Sequence, residues 1–141
     1  MEKELAAEAF AQMLYEVGVV GAYRTFFEGM ESTVGHEQAK WQKIRDWYTS
    51  KDSEEQQFVN TILKEVLTTS VFRLAVRFDG AAGYEEVDDK IGEFAVSLRL
   101  YDADEDSEEM TPLESIDICP TESGEMIHDI FMDLVDESEK A

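Results

Sequence analysis

Asp102, Asp104 and Asp106 occupy alternate positions of Asp102-Ala103-Asp104-Glu105-Asp106, the spacing of the first three ligands in an EF-hand calcium loop. The rest of that chemistry is missing. Ser107 stands at the sixth position, where the sharp turn needs glycine, and Leu113 at the twelfth, where a bidentate glutamate belongs. The run predicts loose cation binding at most. His36 and His128 are isolated, without the CxxC or HExxH companions of a zinc site. The lone Cys119 has no basic neighbour to stabilise a thiolate, which favours an inert thiol over a nucleophile. Gly80, Gly83 and Gly92 match neither a phosphate-binding loop nor a nucleophile elbow. Acids are too abundant for any pair to stand out as general acid and base. No catalytic residue, cofactor or metal is expected, and the chain does not read as an enzyme.

What distinguishes the acids is their place. The 141 residues include 33 acids and 12 bases, net charge -21. Residues 1–79 carry a net -4 and residues 80–141 a net -17. Glu85, Glu86, Asp88, Asp89 and Glu93 crowd one predicted loop, and Asp102, Asp104, Glu105, Asp106, Glu108 and Glu109 crowd another. A field of this sign repels nucleic acid and anionic membranes and attracts basic protein surfaces. Charge runs are usually solvated surface. Here the crowding opposes folding, and far fewer charges would suffice for solubility. Glu85, Glu86, Asp88 and Asp89 of the first loop and all six acids of the second are therefore the expected partner-binding residues.

Arg73, Arg77 and Arg99 are the third candidate group. On two neighbouring strands they would share a polar face with Ser97 and Tyr101, able to hold a carboxylate or phosphate bidentately. The commoner explanation is that they pair with the chain's own acids across the sheet.

These groups need elements to position them. From Leu5, apolar residues recur at helical spacing through Val17; Gly18 and Gly21 then bend one helix or separate two, ending near Gly29. A second helix over residues 37–48 should turn Trp41, Ile44, Trp47 and Tyr48 inward. Ser53-Glu54-Glu55-Gln56 reads as a capping box opening a third, whose stripe is Phe58, Val59, Ile62, Leu63, Val66 and Leu67. Thr68-Thr69-Ser70 weakens helical propensity. Beyond it, residues 71–80 alternate, Phe72, Leu74, Val76 and Phe78 on one face, which predicts a strand. Residues 94–101 alternate likewise, with Phe94, Val96, Leu98 and Leu100 inward, and residues 115–119 could add a third strand stopped by Pro120. Thr121 to Ser123 can cap a last helix that buries Met126, Ile127, Ile130, Phe131, Leu134 and Val135. The expectation is one α+β domain over residues 1–141: N-terminal helices, a two- or three-stranded antiparallel sheet and a C-terminal helix.

The run from Ile62 to Thr69 passing into Val71-Phe72-Arg73-Leu74-Ala75-Val76-Arg77-Phe78-Asp79-Gly80, in a small acidic α+β chain, resembles immunity proteins of bacterial toxin systems. It is also similar to phage-encoded inhibitors of host defence proteins. The likeness covers the middle third of the chain and lies in pattern, so no family residue transfers position by position. It implies an inhibitor that acts by binding.

The lone cysteine excludes an internal disulfide and fits a reducing compartment. The charged start Met1-Glu2-Lys3-Glu4 is unlike a signal peptide, so a cytoplasmic protein is expected. The functional expectation is an acidic inhibitor or immunity-type protein that blocks a basic protein surface. Direct contact with nucleic acid or membrane is not expected, and a homodimer is left open. The alternative is a structural or adaptor protein that self-associates through exposed aromatics, with acidity serving solubility.

Overall fold

The computed structural model of the chain describes residues 2–31, 38–80, 85–87, 90–92, 95–101, 112–119 and 126–141. Helix α1 (Lys3–Tyr15) leads through a π-helical turn (Glu16–Gly21) into α2 (Ala22–Glu31), followed by α3 (Gln38–Thr49) and α4 (Ser53–Phe78). Strands β1 (Glu85–Val87), β2 (Lys90–Gly92), β3 (Val96–Leu100) and β4 (Glu114–Cys119) precede α5 (Ile127–Lys140). The class is α+β: mainly helical, with antiparallel strand pairs β1–β2 and β3–β4 and a C-terminal helix. Packing divides the chain into two compact units, Leu14–Val71 and Met1–Met13 with Phe72–Ala141.

In the unit Leu14–Val71, the glycines expected to bend the first helix mark the π-helical turn. Valine and glycine are weak helix formers, and there the ladder lengthens so that the Ala22 N–H reaches back to the Val17 carbonyl. A Cβ on Gly18 would lie 2.7 Å from Val71 Cγ2 of α4, so only glycine permits this approach. Phe26 and Phe27 of α2 meet Trp41 and Tyr48 of α3 nearly edge-on, each pair with centroids 5.7 Å apart. The Tyr48 hydroxyl donates to Asn60 Oδ1 of α4 at 3.0 Å. The capping box of α4 sits one residue before its expected place. The Glu55 N–H donates to Asp52 Oδ1 at 2.9 Å, and the Asp52 N–H donates to Glu55 Oε2 at 3.2 Å. Gln56 instead donates its side-chain amide to the carbonyls of Tyr48 and Lys51.

The expected strand over residues 71–80 is not there. Residues 71–78 complete α4, which runs 26 residues without a break. Val71 and Ala75 are buried four residues apart, whereas Leu74, placed inward by the alternating pattern, is 53% exposed. Ser70, read as a helix weakener, donates its hydroxyl to the Val66 carbonyl at 2.7 Å and so stays compatible with the helix. The helix-to-strand passage that carried the resemblance to immunity proteins is thus one continuous helix.

In the other unit, α4 stops at Gly80, whose φ of 72° suits glycine and whose N–H donates to the Arg77 carbonyl. The two later strands form at their expected places, with Phe94 outside the described residues. In β3, Val96, Leu98 and Leu100 are half-buried and Ser97 and Arg99 exposed, paired with β4 in the register Leu98↔Ile116 and Arg99↔Ser115. The register shifts between Val96, opposite Cys119, and Ser97, opposite Asp117; Ile118 is the extra residue. That bulge lets both Ile118 and Cys119 be buried. Of its expected stripe, helix α5 buries Ile127, Phe131 and Val135 and half-buries Met126, Ile130 and Leu134. Ala6, Ala7, Ala11 and Ala75 are buried in this unit as well.

Candidate functional site

The acids expected to bind a partner are only partly placed. Glu85 and Glu86 lie on β1, opposite Gly92 and Ile91, so they belong to a strand and not to a loop. Asp88, Asp89, Asp102, Asp104, Glu105, Asp106, Glu108 and Glu109 lie outside the described residues, as does His36. The arginine group is not a sheet face: Arg73 and Arg77 stand four residues apart on α4, and Arg99 alone is on a strand, diagonal to Asp117.

Among the described residues the structure builds a cluster that the sequence reading missed. Asp79, just past α4, is 5% exposed. Its carboxylate accepts from the N–H of Ile127 at 3.0 Å and the N–H of His128 at 2.9 Å, and its Oδ2 lies 2.7 Å from His128 Nδ1. The first two amides of a helix lack intrahelical partners, and α5 carries no side-chain cap of its own at Met126. Asp79 therefore caps α5 from across the fold. Thr121 to Ser123, the expected cap, lie outside the described residues. A helix start with no Ser, Thr, Asp or Asn at its N-cap was the signal that the acceptor must come from elsewhere.

A carboxylate holding an imidazole is also how a catalytic base is oriented. The third member of such a set does not fit. Cys119 is 1% exposed. Burial pushes its thiol up to about 11, the Asp79 charge adds to this, and Lys3 opposes it. That is the reverse of an activated cysteine. His128 Nε2 lies 3.6 Å from Asp129 Oδ1, and its ring meets Phe72 edge-on. The arrangement docks a helix end. Among the described residues no group of three or more His, Cys, Asp or Glu is placed to hold a metal.

A different feature lies where α3 hands over to α4. Trp47, Phe58, Ile62 and Val66, all expected inward, are exposed, Phe58 by 67% and Trp47 by 52%. Within that expected stripe, burial falls to Val59, Leu63 and Leu67, each half-buried. The stripe read from the sequence is thus wider than the face the unit covers. Trp47, Phe58, Val59 and Ile62 give the apolar wall of an open groove of about 700 Å³, with Asp52, Glu54 and Glu55 along it. Lys51, the groove's base, is already engaged: its Nζ is 5.3 Å from the centre of the Trp47 ring and 3.6 Å from Glu55 Oε1.

No family model matches the chain, nor does any curated protein or solved structure. Among the described residues no helix is long and apolar enough to cross a membrane.

Proposed function

We propose that this protein is an acidic binding protein of the cytoplasm that covers and blocks a basic surface on a partner protein. One observation carries the reading: residues 80–141 hold a net -17 of the total -21. Solubility would need far less, and like charges packed this densely oppose folding. A concentrated acidic region accelerates encounter with a basic surface and rejects acidic competitors. A nucleic-acid-binding cleft on the partner is the kind of basic surface such a region would mimic and occlude.

The test compares two sets of neutralised acids. One variant carries Asn or Gln at Asp104, Glu105, Asp106, Glu108 and Glu109; the other carries Gln at Glu2, Glu4 and Glu8. A partner captured from the source cell and identified is then mixed with each protein over a range of salt. Association should be fast at low salt and slow steeply as the screening length falls from roughly 30 Å at 0.01 M to about 8 Å at physiological strength. The first variant should lose most of that salt dependence and the second little. Equal slowing by both sets would assign the effect to net charge alone and sink the proposal.

A further inference from the structure

The exposed side chains of α4 are not scattered. Phe58, Ile62 and Val66 follow at intervals of four residues, and side chains at that interval form one continuous ridge on a helix. Such ridges pack into the grooves of other helices. The ridge adjoins the Trp47 groove, so a helix laid there would meet apolar side chains from both α3 and α4. Acids flank it. Asp52, Glu54 and Glu55 line the groove. Glu65 is exposed beside Val66. Lys51, the base among the groove-lining residues, is turned onto Trp47 and Glu55.

We infer that the α3–α4 groove with the ridge Phe58, Ile62 and Val66 is a docking site for a basic amphipathic helix of another protein. An apolar stripe on the incoming helix would cover Trp47, Phe58 and Ile62, in the manner of helix-in-groove recognition. Its lysines or arginines would face Glu54 and Glu65, since Glu55 is engaged by Lys51 and the Asp52 N–H. A second copy of this chain is the wrong occupant, because a two-fold contact pairs the same patch with itself and would bring the acids of one copy up to the acids of the other. The site goes beyond the charge-based reading above, since it uses none of the acids of residues 80–141.

The probe is a fluorescently labelled Leu/Lys peptide patterned as an amphipathic helix, read by anisotropy against the full chain. A scrambled peptide of the same composition and a Leu/Glu peptide of the same pattern serve as controls. The Leu/Lys helix should bind, the Leu/Glu helix should not, and the scramble should bind more weakly. Phe58→Ala and Ile62→Ala should each weaken binding about tenfold, the effect of leaving one large apolar side chain uncovered. Both residues are exposed, so circular dichroism should show the fold retained. Neutralising Asp104, Glu105, Asp106, Glu108 and Glu109 should leave the Phe58→Ala loss unchanged, which separates this site from the acidic region. Four results would overturn the inference: no binding of the Leu/Lys helix, binding indifferent to Phe58→Ala and Ile62→Ala, equal binding of the scramble, or a homodimer that Phe58→Ala dissolves.

Discussion

Helices α4 and α5 begin in opposite ways. At the start of α4, Asp52 and Glu55 exchange hydrogen bonds within one turn, in contact with solvent. At the start of α5, the acceptor is Asp79, 48 residues earlier in the chain and buried. The same physical need, acceptors for amides that the helix leaves unpaired, is met once by neighbours in sequence and once by a distant side chain. A solvent-exposed cap competes with water and contributes modestly, whereas a buried one cannot be replaced by water. The two caps should therefore differ in cost when removed, and in how each senses its surroundings.

The largest expected effect is at Asp79. Asp79→Ala removes a cap and leaves the buried Ile127 amide without its acceptor, together worth about 3 kcal/mol of stability in urea unfolding. A loss no greater than that of Asp52→Ala would erase the distinction between the two helix starts.

The next prediction uses Cys119 as a reporter of the buried side. Its thiol is held up at about 11 against an ordinary value of 9.0. Folding thus favours the protonated form, so this stability is fully present below about pH 9 and is lost as pH rises toward 11. The difference in stability between the protein and Cys119→Ala should shrink by roughly 2 kcal/mol across that window. Asp79→Asn, which removes one source of the shift, should lower the pH at which the loss ends and make the loss smaller. A difference that stays constant with pH would mean that the thiol does not sense the fold.

The smallest effect belongs to Asp52→Ala, about 1 kcal/mol, because Gln56 still ties the turn to Tyr48 and Lys51 and water reaches the freed amide. If it exceeded the Asp79→Ala loss, the local cap would be the dominant one.

The same contrast explains how much was legible in the sequence. Periodicity located α1, α2, α3, the start of α4, β3, β4 and α5, because each announces its own buried face within a few residues. It failed at residues 71–80, where both a strand and a helix fit the apolar pattern. Phe72, Leu74, Val76 and Phe78 alternate, yet Val71 with Ala75 and Arg73 with Arg77 repeat every four, and no glycine or proline interrupts before Gly80. The uninterrupted helix behind them settled the competition. The exposure of Phe58 and Trp47 was not legible, since an apolar stripe states what a helix can bury and not how much of it its neighbours cover. The capping role of Asp79 was out of reach for the same reason: its partner amides are specified only once both helices are in place.

The contact between Asp79 and α5 also sets an order of assembly. Helix α4 can form by local steps, whereas closing a loop of this length must precede any reward from the cap. Until Ile127 and His128 arrive, the carboxylate at the end of α4 is an ordinary solvated acid. On synthesis, α4 leaves the ribosome well before its finishing contact exists. The last turn of α4 and the first turn of α5 are therefore expected to become ordered together.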